Sequence, residues 1–261
     1  MILKTSFYWT FNMLQWLPQE GENMIYYTGD IHGRPQGLQE YFEKHKPSAD
    51  DILVILGDVG ANFYGNKTDK KVKRVLNDLG LTVFCIHGNH EMRPASIPTY
   101  QQKEWNGGLV WFEPEFPNLL FAKDGEIFTM EGIRHLVIGG AYSVDKFYRI
   151  ARGVGWWEDE QPSLEIKAYV EQQVVSNSFD IILSHTCPAK FKPVEAFLPG
   201  IDQSTVDDST EEWLDKIEEM ASYKLWLCGH WHIDKRVGKM CFYYHTFVES
   251  EEIKGELRVC K

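Results

Sequence analysis

Met24-Ile25-Tyr26-Tyr27-Thr28-Gly29-Asp30-Ile31-His32-Gly33 is the stretch on which the reading of this chain turns. Its opening residues are apolar and aromatic types that suit a strand, and Gly29 lets the backbone turn tightly where that strand ends. A carboxylate and an imidazole, Asp30 and His32, therefore stand just past a strand. Two residues apart in an extended segment, their side chains leave the same face and can converge on one ion. A single Asp-x-His pair is common by chance, so its weight depends on recurrence.

The arrangement returns. Asp51 to Leu56 is the apolar run that a buried central strand needs, and it ends in Gly57 and Asp58. Leu81 to Ile86 reads as a third strand and runs into His87, Gly88, Asn89, His90 and Glu91. Between these strands, Arg34 to Lys46 carries Leu38, Tyr41 and Phe42 at helical spacing, and Asp69 to Leu79 carries Val72, Val75, Leu76 and Leu79. Alternating strands and helices with polar residues after each strand make an α/β layout, in which ligands gather beyond the carboxyl ends of the strands.

The middle of the chain is less regular. Tyr100 to Asp124, rich in Trp, Phe, Pro and Gly, reads as a long loop region over the sheet. Glu126 to Met130 and Ile133 to Ile138 read as strands around Glu131 and Gly132, and Pro162 to Ser176 as a helix. Gly139 to Trp157, glycine-rich and aromatic with cations at Arg149 and Arg152, is a candidate substrate loop. Asp180 to Leu183 is a buried strand ending in Ser184 and His185. Thr186 to Asp208 lacks periodicity and reads as a lid or connecting loop. Ser209 and Glu212 have capping-box spacing before a helix through Met220. Leu225 to Cys228 is a strand that enters Gly229, His230, Trp231 and His232, and Lys235 to Cys260 alternates enough for short antiparallel strands.

Bulk properties narrow the function classes. The 261 residues suffice for a sizeable core, and 43% apolar with 25% charged residues marks a soluble globular composition. A formal charge of -11 argues against nonspecific attraction to nucleic acid or anionic membrane, yet local cations in a site can still recruit a phosphate. The five cysteines include no C-x-x-C pair, which suits a reducing cytoplasm and excludes a zinc finger. Met1 to Leu17 is broken by Asn12 and Gln15 and lacks a small-residue cleavage site, so neither a signal peptide nor a membrane span is expected. Residues 1–23 read as an N-terminal extension and 24–261, free of repeats and linkers, as one domain.

Five strand ends thus carry Asp30 and His32, Asp58, Asn89 and His90, His185, and His230 and His232. Oxygen and imidazole donors without a thiolate suit divalent or trivalent Mn, Fe or Zn, with Mn the first choice for assay. These eight donors exceed what one tetrahedral zinc takes, so two metal ions are implied. His45, His87, His135 and His245 fall outside the pattern and read as surface or structural histidines, and Cys187 as a buried thiol.

The blocks Gly29 to Gly33, Gly57 with Asp58, Gly88 to Glu91, the lone His185 and Gly229 to His232, in that order, resemble the calcineurin-like metallophosphoesterase superfamily. The resemblance implies a β-sandwich of two mixed sheets flanked by helices and built from βαβ units. It also implies a dinuclear site: Asp30, His32 and His232 on one metal, Asn89, His185 and His230 on the other, Asp58 between them, and His90 as the catalytic acid or phosphate contact. A hydroxide bridging the metals would then attack a phosphate ester, with Asn89, Arg34 and Arg149 on the substrate side. In the branch holding Ser/Thr protein phosphatases and dinucleoside tetraphosphate hydrolases, the second block continues as GDxxDRG. Here Val59 to Asn62 lack that Asp and Arg, leaving Arg34, Arg93, Arg149 or Arg152 to supply a phosphate-gripping cation. A nuclease of the same superfamily and a non-catalytic metal-binding scaffold are the alternatives, the first opposed by the acidity and the second by the full ligand set.

Overall fold

The computed structural model describes residues 23–259. All but the last residue of the expected N-terminal extension, together with 260 and 261, lie outside the described residues.

The chain begins β1 (Ile25–Thr28), α1 (Gln36–His45), β2 (Ile52–Ile55), α2 (Lys67–Asn77), β3 (Thr82–Cys85). It continues through β4 (Gln101–Trp105), β5 (Gly108–Glu113), β6 (Phe116–Ala122), β7 (Ile127–Met130) and β8 (Ile133–Ile138). Then come α3 (Lys146–Arg152), α4 (Leu164–Ser176), β9 (Ile181–Ser184), α5 (Ser209–Met220) and β10 (Leu225–Cys228), followed by β11 (Lys235–Val237), β12 (Met240–Phe242), β13 (Val248–Glu249) and α6 (Ser250–Val259). One sheet has the order β13-β1-β2-β3-β6-β5-β4 and the other β11-β12-β10-β9-β8-β7. Both are mixed, with parallel centres (β1-β2-β3-β6 and β12-β10-β9-β8) and antiparallel edges.

Strand alternation divides the core. Ile25, Tyr27, Val54 and Phe84 enter the space between the sheets and pack with Val137, Leu183 and Leu227 from the other sheet. Their neighbours Tyr26, Leu53, Ile55 and Val83 face outward onto Leu38, Phe42, Val72 and Leu76 of α1 and α2. On the second sheet, Leu136, Ile182 and Trp226 lie under Val174 of α4 and Trp213, Leu214 and Ile217 of α5. Because both faces of the central strands are covered, their sequences are apolar at most positions. Each such buried side chain contributes about 1.5–3 kcal/mol.

The structure corrects the expectation for Tyr100 to Asp124, which forms β4, β5 and β6 rather than a loop. β4 is an edge strand whose Gln101, Gln102 and Glu104 are exposed, so it has no apolar alternation to recognise. Asn106 and Gly107 make the tight hairpin, both at positive φ (48° and 90°), an Asn-Gly signal that the aromatic composition masked. α3 likewise forms inside the expected Gly139 to Trp157 loop. The capping box is not formed: Asp208 precedes α5 without a side-chain cap, and the Ser209 amide donates to Asp207 Oδ1 at 3.0 Å. The chain also ends in α6 rather than a further strand, anchored by buried Ile253 and by Ser250 Oγ, which accepts from the Ile25 amide at 3.2 Å. No helix among the described residues is long and apolar enough to cross a membrane.

Candidate metal centre

The parallel strands point their carboxyl ends to one edge of the molecule, where the two sheets meet. β1 delivers Asp30 and His32, β2 delivers Asp58, and β3 delivers Asn89 and His90. From the second sheet β9 delivers His185, and β10 delivers His230 and His232. The turns that carry them are tight. Seven non-glycine residues among those described have positive φ, and four are His32 (46°), Asp58 (47°), His230 (65°) and His232 (50°). Such backbone strain collects where the surrounding structure must aim side chains. Glycine makes the close approach possible: a Cβ on Gly57 would lie 2.1 Å from His185 Nδ1, and one on Gly88 2.1 Å from Asp58 Oδ1.

Two sets of donors result. His32 Nε2 and His232 Nε2 are 2.9 Å apart, and Asp30 offers an oxygen to the same small volume. In the second set, His185 Nε2 and His230 Nδ1 lie 2.8 and 3.1 Å from Asn89 Oδ1. The Asp58 carboxylate stands between the sets, Oδ2 3.9 Å from His32 Nδ1 and Oδ1 3.5 Å from His185 Nε2. Backbone and neighbouring groups hold these side chains in place. His185 Nδ1 donates to the Leu56 carbonyl (2.8 Å), which leaves its Nε2 lone pair facing the site. Asn89 Nδ2 donates to Ser143 Oγ (2.8 Å), which turns its oxygen toward the imidazoles. Asp30 Oδ2 accepts from the His230 amide, and Asp58 Oδ1 from the His90 amide, at 2.9 and 2.8 Å.

Burial holds the His185, His230 and His232 imidazoles below their usual range, and that of His32 down to about 4, so they are neutral with lone pairs to offer. Burial would raise the Asp58 carboxyl, but it is held below its usual range, with the His90 amide donating to its Oδ1 among polar imidazoles. Asp30 is raised by burial and by Asp58. Its Oδ1 is buried without a hydrogen-bond partner among the described residues. An orphaned buried carboxylate oxygen amid neutral imidazoles fits cations, which would satisfy both. Asp30-His32-His232, His32-Asp58-His90 and Asp30-Asp58-His185 each bring their donor atoms within 4.8 Å of one another.

His90 faces the same volume, its ring edge-on to His32 at 5.3 Å. Its Nδ1 lies 3.1 Å from Arg149 Nη2. Arg149, buried at 3% exposure, also donates from Nη1 to Ser143 Oγ (3.0 Å) and lies over the rings of Phe63 and Trp157. The other arginines lie elsewhere. Arg34 is exposed beside a shallow pocket shared with Asp30, His32 and Tyr244. Arg93 is buried against Asp124 and donates to the Asp159 carbonyl, while Arg152 is exposed over Tyr148. Ser143, which joins Asn89 to Arg149, went unread in the sequence, where one serine in a glycine-rich loop gives no signal. His135, as expected of a structural histidine, is buried with Nε2 2.9 Å from the Tyr27 hydroxyl.

The model of calcineurin-like phosphoesterases matches residues 24–234. No curated protein matches the sequence. Among solved structures, TT1561 of Thermus thermophilus is similar, with a TM-score of 0.52 and 13% identity over 92% of this chain and 96% of that one. A protein of unknown function from Aquifex aeolicus, AQ665, overlaps at TM-score 0.40 and 14% identity over 90% of this chain and 99% of that one. YfcE, a phosphoesterase from E. coli, overlaps only in part, at TM-score 0.20 and 22% identity over 44% of this chain and 68% of that one. At 13% identity the likeness to TT1561 concerns the fold alone. The family match spans every donor of the cluster, and the chain belongs to the calcineurin-like phosphoesterase family.

Proposed function

We propose that this chain is a metal-dependent phosphoesterase with a dinuclear site. Asp30, His32 and His232 hold one cation; Asn89, His185 and His230 hold the other; Asp58 serves both. The observation that carries this reading is the Asp58 carboxylate, placed within 3.9 Å of one imidazole set and 3.5 Å of the other. When bound, two such cations lower the pKa of water and draw charge from the phosphate oxygens. The donor set suits Mn, Fe or Zn, and Mn is the ion to assay first.

The chain's own part is proton handling and orientation. A guanidinium can only donate, so His90 Nδ1 accepts from Arg149 and the neutral ring carries its proton on Nε2. His90 is thereby set to donate a hydrogen bond from Nε2–H to a phosphate oxygen, the phosphate-contacting role. Asn89, beside it, contributes to substrate orientation as well as ligation, and the exposed Arg34 reaches a phosphate from the rim. Arg149 acts through His90.

The reading is tested with full-length protein on p-nitrophenyl phosphate and bis(p-nitrophenyl) phosphate, with added Mn and with chelator, alongside metal analysis. Turnover of either ester that requires metal, with about two ions per chain, is expected. Folded, metal-loaded protein that turns over neither would overturn it.

A further inference from the structure

The donor cluster forms only one side of its cleft. The cleft has a volume of about 310 Å³, within the range of small-molecule sites. Facing the cluster are Val144, Phe197, Leu198, Ile201, Val206 and Trp231. All but Val144 and Trp231 come from the segment after His185, which forms no regular strand or α-helix.

Part of this wall is aromatic. The rings of Phe197 and Trp231 are stacked with centroids 5.8 Å apart and planes at 26°. Trp231 lies between His230 and His232 in the chain, so its ring is fixed relative to the donors. Leu198 is 60% exposed and Val144 36%, large apolar surfaces that an occupant would shield from water.

Charge limits what that occupant carries. Lys192 is the one lysine or arginine among the described residues lining the cleft, and it is paired with Asp208 at 2.6 Å. Asp145, Asp208 and Glu211 add carboxylates to the same wall. A phosphate at the donor cluster would be met by its cations, whereas a second phosphate further along would face acids with no unpaired basic side chain.

Building on the phosphoesterase reading, we propose that the substrate is an ester with a single phosphate and an apolar, aryl-bearing leaving group seated against Trp231 and Phe197. This favours aryl-bearing alcohols over nucleoside polyphosphates and nucleic acid.

The test compares 2-phenylethyl phosphate with ethyl phosphate, each also as its methyl diester, under saturating Mn. The two alcohols are similar leaving groups, so their difference reports the apolar seat. The phenylethyl ester is expected to have a kcat/KM about tenfold to a hundredfold higher, through KM. Phe197→Ala should narrow that ratio, and a nucleoside diphosphate should be a poorer substrate than either. Equal kcat/KM for the two esters, a ratio untouched in Phe197→Ala, or preference for the diphosphate would overturn the proposal while leaving the phosphoesterase reading intact. Should neither ester turn over, the p-nitrophenyl esters decide the phosphoesterase reading, and calorimetry of 2-phenylethylphosphonate against ethylphosphonate decides the seat: about tenfold tighter binding of the former supports it, and equal affinity refutes it.

Discussion

Arg149 Nη2 lies 3.1 Å from His90 Nδ1, and the guanidinium that makes this contact is 3% exposed. The partner of the histidine that faces the cleft is therefore a cation. A carboxylate there would accept a proton from Nδ1 and stabilise a charged ring. An arginine instead requires Nδ1 to accept, which fixes the proton on Nε2.

Replacing Arg149 tests that division of labour. Lysine keeps a charge but presents a compact ammonium that cannot serve His90 and Ser143 with the geometry of the fork. Arg149→Lys is expected to lower kcat by roughly tenfold to a hundredfold, with KM for a small ester nearly unchanged and metal content retained. An arginine that gripped phosphate directly would instead raise KM. Steady-state kinetics with metal analysis separates the two.

Gly88→Ala addresses the donor that serves both sets. Its methyl group would lie 2.1 Å from Asp58 Oδ1 and 2.2 Å from the Asp58 amide nitrogen, so the carboxylate or its backbone must shift. We expect a folded protein less stable by about 1–3 kcal/mol, with metal content well below two per chain. Unchanged metal binding would show that Asp58 is not the shared ligand.

Metal removal should be visible in stability as well as activity. The Asp30 carboxyl is raised by burial and by the neighbouring Asp58, a cost that bound cations would relieve. Cations that bind the folded chain alone, at roughly a hundred times their Kd, add about 3 kcal/mol. Chelation should therefore lower Tm by several degrees, and Mn should restore it. A Tm insensitive to chelator, in protein shown by analysis to lose metal, would contradict this.

The donors were legible in the sequence because they stand just past buried apolar strands, and Asp30, Asp58, Asn89 and His230 directly follow a glycine. Asp58 follows Ile-Leu-Val-Ile-Leu, and the glycines next to it and to Asn89 leave room for His185 and Asp58 themselves. β4 to β6 were not legible because an edge strand exposes polar side chains on both faces, and Pro117 and Asn118 near the start of β6 imitate a loop. The Arg149 to His90 contact joins residues 59 apart through tertiary packing alone. The apolar wall of the cleft is hidden for the same reason. Phe197, Leu198 and Ile201 fall in an aperiodic stretch, and only the folded chain brings them to Trp231.

His135 gives a stability signal away from the metal ligands. Burial lowers its imidazole from 6.5 to about 4, and its Nε2 pairs with the Tyr27 hydroxyl at 2.9 Å, so the folded state holds it neutral. As pH falls from 6.5, the unfolded chain takes up a proton there that the folded chain refuses until about 4. The stability associated with neutral His135 is thus present above pH 6.5 and lost on acidification through that window. With 1.36 kcal/mol per pH unit, the full loss is about 3 kcal/mol. Denaturant unfolding of wild type and His135→Gln across pH 4 to 6.5 isolates this effect, since the remaining titrating groups are common to both. The wild type should lose up to about 3 kcal/mol more than the variant over that range, even if the variant starts less stable. Parallel stability curves would mean that His135 is protonated in the folded protein, and that Tyr27 and the surrounding core tolerate its charge.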